Sequence, residues 1–100
     1  MTSESKEDLK HYIIDSLKSE TEIQRIVLFG SFTSSDNPND IDIAVFQDSD
    51  DDYLRLAMKY RRLTRHIARQ IPLDIIPLKI GGFSSAFLEE IERGETVYER

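Results

Sequence analysis

The chain of 100 residues carries a formal net charge of −6, is 39% hydrophobic and contains no cysteine. This composition predicts one globular domain over residues 1–100, and the missing cysteines exclude disulfides and thiolate metal sites. The acidic charge disfavours direct binding to nucleic acid, because a polyanion requires clustered basic side chains. No apolar run reaches the ~20 residues of a membrane span, and the polar N-terminal segment lacks the apolar centre of a signal peptide. We therefore expect a soluble cytoplasmic protein without membrane contact.

The first half of the chain predicts one helix followed by two strands. Apolar residues recur every four positions within Ser5–Glu20, as on one face of a helix. The run Gln24–Phe29 is rich in β-forming residues and ends at Gly30. A loop of turn-forming residues, 34–39, precedes the nearly continuous apolar run Ile41–Phe46. We expect this second strand to lie in the interior of a sheet.

The second half predicts a helix, a strand, a second helix and a short strand. The long helix is expected over Asp51–Gln70, with an apolar face made of Tyr53, Leu56, Tyr60, Leu63 and Ile67. A strand over Leu73–Leu78, a helix over Phe83–Arg93 and a short strand at Thr96–Tyr98 complete the chain. This order predicts an α/β (α+β) fold in which helices cover one face of a small mixed β-sheet.

Three aspartates interrupt the predicted apolar strands. Asp40 and Asp42 stand at the start of the second strand and point to the same face, because side chains alternate along a strand. Asp74 lies among the apolar residues of the third strand. Neighbouring carboxylates repel each other unless a cation lies between them, and an all-oxygen site suits Mg²⁺ or Mn²⁺. If Asp74 faces the same side, the three carboxylates predict a site for two divalent ions.

Gly30 and Ser31 directly follow the first predicted strand. Glycine allows the backbone to approach a ligand closely, and Ser31 is expected to begin a short turn of helix whose N–H groups face an anion. The expected anion is a nucleoside triphosphate, with its α-phosphate at the metal ions. A Gly-Ser pair after a strand is usually only a turn, and Asp-x-Asp is common in acidic proteins. The order of all these features is therefore what predicts nucleotidyl transfer.

This order of motifs resembles the signature of the polymerase-β-like nucleotidyltransferase superfamily, and the chain is similar to its smallest members, the minimal nucleotidyltransferases. The resemblance extends from the leading helix to the glutamate-rich last helix and the terminal strand. It implies an enzyme that transfers a nucleoside monophosphate, with AMP from ATP as the expected case. It implies that Asp40, Asp42 and Asp74 bind two Mg²⁺ ions, and Asp74 is a candidate to deprotonate the acceptor hydroxyl. It also implies that Gly30 and Ser31 contact the nucleotide phosphates.

The resemblance further implies a protein partner. Minimal nucleotidyltransferases commonly pair with a small helical RNase toxin of the HEPN type, and they act as antitoxins by adding AMP to a tyrosine of that toxin. A domain this small has little surface with which to select an acceptor, which agrees with a partner that supplies the hydroxyl. Contact between an acidic antitoxin and an RNA-binding toxin is also electrostatically consistent.

The loop after Ser31 departs from the family pattern. Family members often carry an arginine and a second glycine there, whereas this chain has Phe32–Ser35. Lys59, Arg62 or Arg69 of the predicted long helix are candidate replacements for the missing cation. The altered loop leaves a second function open, that of a binding module that neutralises a partner by contact with little or no catalysis. A third function, antibiotic modification, is disfavoured because those enzymes usually carry an additional substrate domain.

Overall fold

The computed structural model of the chain describes residues 1–81 and 85–100 and contains a four-stranded mixed sheet. The strands are β1 (Ile23–Phe29), β2 (Ile41–Gln47), β3 (Leu73–Lys79) and β4 (Glu95–Glu99). The helices are α1 (Ser3–Leu17), α2 (Ser31–Ser34), α3 (Tyr53–Leu63), α4 (Arg65–Ala68) and α5 (Ser85–Glu92). The predicted order of elements is confirmed. α2 is the short turn of helix that was expected to begin at Ser31. Among the described residues, no helix has both the length and the apolar character needed to cross a membrane.

The strands lie in the order β3-β2-β1-β4. β1 is antiparallel to both β2 and β4, whereas β3 is parallel to β2. This arrangement brings the end of β1 to the same edge of the sheet as the starts of the other three strands. At that edge Phe29 pairs with Asp42, Asp42 pairs with Asp74, and Leu28 pairs with Glu95. The prediction of a small mixed sheet is therefore confirmed.

The larger core lies between one face of the sheet and the helices α1, α3 and α4. The apolar residues of α1 that recur every four positions lie on one face of the helix and pack there. They contact the alternate residues of β1 and β2 that point to the same side of the sheet. Its buried members are Leu9, Ile13, Leu17, Ile23, Ile26, Leu28, Phe32, Ile41, Ile43, Val45, Leu56, Tyr60, Ile67, Ile71 and Ile75.

The opposite face of the sheet carries a smaller core beneath α5. Ile91 is fully buried there, and Phe87 packs beside it with its ring edge against Phe29. Helices were expected on one face only, and α5 is the exception to that expectation. The physical reason is that β1 and β2 are apolar at consecutive positions, so both of their faces require cover. The predicted start of this helix at Phe83 lies outside the described residues.

The predicted long helix is divided at Thr64, which corrects the expectation of one helix over residues 51–70. The Thr64 hydroxyl is buried and donates to the carbonyl of Tyr60 at 2.8 Å. Such a bond within a helix competes with the regular backbone ladder and bends the chain.

Asp52 caps the start of α3 by accepting from the Arg55 N–H at 2.8 Å. Of the two predicted core tyrosines, Tyr60 is fully buried, but Tyr53 is 56% exposed.

Candidate active site

The three predicted aspartates meet at one edge of the sheet. Asp42 and Asp74 are direct partners in the parallel pair of β2 and β3, and Asp40 lies two residues before Asp42. One carboxylate oxygen from each residue lies within 4.8 Å of the others. Asp40 and Asp42 are half-buried, whereas Asp74 is exposed. The arrangement therefore presents one solvent-facing carboxylate and two that are partly withdrawn from water.

The cluster carries unbalanced negative charge. Burial raises the pKa of the Asp42 carboxyl above its usual range, and the neighbouring charges of Asp40, Asp74 and Glu90 raise it further. Within the described part of the chain, no lysine or arginine forms an ion pair with any of the three aspartates. Carboxylates in this state repel one another and favour a bound cation. Since every donor is a carboxylate oxygen, the cluster fits a hard divalent ion such as Mg²⁺.

Gly30 brings the backbone against this cluster. It has a positive φ of 75°, and a Cβ atom at this position would collide with Oδ2 of Asp42. Both observations require glycine, because other residues are strained at this backbone geometry and would displace the carboxylate. α2 then begins at Ser31, and the Thr33 hydroxyl donates to the Gly30 carbonyl at 2.9 Å. Gly30 therefore brings the backbone close to Asp42, whereas its predicted approach to the nucleotide phosphates stays a prediction.

Lys6 of α1 holds the far end of α2. Its Nζ donates to the carbonyls of Phe32 and Ser35 at 2.8 and 2.6 Å, and it lies 5.4 Å from the centre of the Phe32 ring. The Phe32 ring itself is buried in the larger core. Lys6 was not identified from the sequence, because no local pattern connects it to a loop more than twenty residues away.

The cations proposed from the long helix lie on the wrong side of the sheet. Lys59 pairs with Glu20 and Glu22 at 3.0 and 2.7 Å, and Arg62 lines a separate cavity with it. α3 and α4 pack on the larger core, whereas Asp42 lies on the opposite face with its partner Phe29. Arg69 follows α4 in the same helical layer. The expectation that Lys59 replaces the missing cation is therefore wrong. The positions of Arg62 and Arg69 do not support the same expectation for them.

A cavity of about 250 Å³ opens beside the Gly-Ser turn instead. Its lining consists of Gly30, Thr33, Ser34, Glu90, Arg93 and Gly94. Arg93 directly follows α5 and reaches this place because β4 pairs antiparallel with β1, so that the start of β4 lies beside the end of β1. The sequence offered no signal for this proximity, since the position of β4 beside β1 was not predicted.

The sequence matches the family described as Polymerase beta, Nucleotidyltransferase over residues 11–100. The chain belongs to this family. It is accordingly a nucleotidyltransferase by family, and the predicted resemblance is confirmed. No curated protein matches the chain significantly.

Solved structures of similar fold include antitoxins of the MNT type. The MNT antitoxin in a complex with a tri-AMPylated HEPN toxin of Shewanella oneidensis has 22% identity and a TM-score of 0.64, and the match covers 95% of this chain and 73% of that one. A toxin–antitoxin structure with AMP-PNP has 23% identity and a TM-score of 0.63, covering 91% and 73%. The MntA–HepT toxin–antitoxin structure has 21% identity and a TM-score of 0.62, covering 94% and 73%. At these identities the likeness establishes the shared fold.

Proposed function

We propose that residues 1–100 act as one nucleotidyltransferase domain that transfers AMP from ATP to a tyrosine hydroxyl of a small helical HEPN-type toxin, and so silence it. The observation that carries this proposal is the in-register pair of Asp42 and Asp74, with Asp40 and Gly30 beside them. Family membership supports the reaction class. The similar structures of an antitoxin with an AMPylated toxin and of a toxin–antitoxin with AMP-PNP support the acceptor and the nucleotide. Since ATP is the proposed substrate, we place the reaction in the cytoplasm.

The carboxylates of Asp40, Asp42 and Asp74 are the proposed ligands of two Mg²⁺ ions. When bound, such ions neutralise phosphate charge and orient the triphosphate. The Gly30 and Ser31 turn is the proposed contact of the phosphates, because the Gly30 backbone lies against Asp42 and α2 begins at Ser31 directly after it.

The exposure of Asp74 suits it to a second role. In the proposed reaction, the acceptor oxygen attacks the α-phosphorus, and the bond from that phosphorus to the oxygen bridging toward the β-phosphate breaks. Pyrophosphate leaves, and the hydroxyl proton passes to a base. Asp74 is the exposed member of the cluster and can therefore be reached by a hydroxyl on a partner protein. We assign it as the general base.

The test uses ATP labelled at the α-phosphate, Mg²⁺, the purified chain and the protein encoded beside its gene. We expect label to pass to that neighbour with wild type and not with Asp42→Asn. Asp8→Asn is the matched control, because Asp8 is an exposed aspartate of α1 away from the cluster. If the Asn variant at position 42 still silences the neighbour and neither protein transfers label, the chain neutralises its partner by contact and the proposal fails.

A further inference from the structure

The cavity beside the Gly-Ser turn contains a cation whose charge is not neutralised by the protein. Arg93 is exposed and lines this cavity, and its guanidinium has no ion pair or hydrogen-bond partner among the residues the structure describes. Glu90 shares the cavity but is not within ion-pair distance of Arg93 in that same set of residues. The guanidinium is therefore available to an anionic ligand that enters beside Gly30.

Another arginine on this side of the sheet is already engaged. Arg25 stacks 5.3 Å from the centre of the Phe46 ring and donates to Thr96 and Glu92. Its contacts hold it against β4 and α5. Arg93 lies at the other end of the same β1–β4 pair, next to Gly94, whose backbone packs against β1.

The neighbouring carboxylates make a cation at this place chemically useful. A nucleoside triphosphate brings several negative charges to a site that already contains Asp40, Asp42, Asp74 and Glu90. Ions held by Asp40, Asp42 and Asp74 would neutralise part of this charge, and a cation in the adjacent cavity would neutralise more of it. A planar guanidinium can donate two parallel hydrogen bonds to phosphate oxygens.

We propose that Arg93 binds the β- or γ-phosphate of the triphosphate and sets the preference for a triphosphate over a monophosphate. This inference rests on the proposed function, because it takes the α-phosphate to lie at the three aspartates. It assigns to α5 a role in nucleotide binding in addition to its role in covering the smaller core.

The test is a calorimetric titration with AMP-PNP and, separately, with AMP, both with Mg²⁺. We expect Arg93→Gln to weaken AMP-PNP binding about tenfold or more, as the loss of a charge-assisted contact predicts, and to leave AMP binding unchanged. Arg93→Lys is expected to retain part of the affinity, since it keeps the charge but loses the planar fork. Arg61→Gln is the matched control, because Arg61 is an exposed arginine of α3 on the opposite side of the sheet.

The outcomes separate this inference from the proposed function. If wild type binds AMP-PNP and Arg93→Gln binds it equally well, the role of Arg93 is refuted while the proposed function stands. If Arg93→Gln loses AMP and AMP-PNP to the same extent, the side chain does not act on the outer phosphates, and the inference also fails. If wild type binds no AMP-PNP at all, both proposals are overturned. Thermal melting of each variant establishes that it is folded.

Discussion

Asp42 of β2 and Asp74 of β3 lie directly opposite each other in a parallel pair of strands. A shift of one residue would turn Asp74 to the other face of the sheet. The next pair along, Ile43 and Ile75, is buried in the larger core on the opposite face, and that burial fixes the register. Apolar packing on one face thereby holds two mutually repelling carboxylates together on the other.

Asp42→Asn is predicted to abolish function while stabilising the metal-free protein. The amide removes a proposed metal ligand, so we expect transfer to fall by about 100-fold or more. It also removes a half-buried charge from beside Asp40 and Asp74, so the free energy of unfolding in EDTA should rise. That rise is expected to be at most about 1 kcal/mol, because solvent screens the cluster.

Urea denaturation with EDTA and with Mg²⁺ measures this effect. Wild type should gain stability from Mg²⁺, whereas Asp42→Asn should gain little. Asp8→Asn, which changes an exposed aspartate outside the cluster, should respond to Mg²⁺ as wild type does. Equal stabilisation of all three proteins by Mg²⁺ would contradict the assignment of the aspartates as metal ligands.

The effect of Asp42 on stability is predicted to depend on pH with a definite sign. Its pKa is raised in the folded protein, so the folded state binds this proton more tightly than the unfolded state does. The stability that follows is fully present below the unfolded pKa of about 3.9 and is lost as the pH rises through the folded pKa. In EDTA, the advantage of Asp42→Asn over wild type should therefore grow between about pH 4 and about pH 7. A difference in unfolding free energy that does not change with pH would refute this prediction.

Gly30→Ala is predicted to damage both the fold and the metal site. The positive φ of Gly30 strains an alanine by about 1 to 3 kcal/mol, and the new methyl group would collide with Oδ2 of Asp42. Gly81→Ala is the matched control, because Gly81 also has a positive φ, of 85°. A Cβ atom at Gly81 would meet no described atom within 4 Å.

The two glycine variants separate backbone strain from the contact with the carboxylate. Both should lose stability in EDTA, but only Gly30→Ala should also lose the stabilisation by Mg²⁺ and the transfer activity. If Gly81→Ala loses the response to Mg²⁺ to the same extent, the close approach of Gly30 to Asp42 is not the cause.

The sequence was sufficient to predict the order of the main elements and to single out the three aspartates of the candidate site. Runs of apolar and β-forming residues identified the four strands, the helical spacing of apolar residues identified the long helices, and isolated aspartates in apolar strands marked the site. The break of the long helix at Thr64 was not predicted, because it depends on a single hydrogen bond of the buried Thr64 hydroxyl, which the apolar pattern does not reveal. The exposure of Tyr53 was not predicted, because the apolar face of a helix does not show how far along the helix the sheet covers it.

Long-range placement could not be predicted from local pattern. The register of Asp74 against Asp42 depends on β3 pairing parallel to β2, and the position of Arg93 depends on β4 pairing with β1. Neither pairing is encoded within the segments themselves. For the same reason the sequence predicted a cation from the long helix beside the Gly-Ser turn, whereas the arginine that lines the cavity there is Arg93, which follows α5.

Lys6→Met is predicted to loosen α2 without touching the carboxylates. Methionine keeps most of the apolar stem but removes the donor to the carbonyls of Phe32 and Ser35. Loss of charged hydrogen bonds to a partly buried loop should cost about 1 to 3 kcal/mol of unfolding free energy. Because α2 begins beside the proposed phosphate contact, the KM for ATP should also rise severalfold.

Lys18→Met is the matched control for this change. Lys18 forms an exposed ion pair with Asp15 at 3.1 Å, and such pairs contribute only about 0 to 1 kcal/mol. Urea denaturation and transfer kinetics at varied ATP concentration provide the two measurements. If Lys6→Met loses no more stability than Lys18→Met and keeps the wild-type KM, then burial of the Phe32 ring alone is sufficient to position α2.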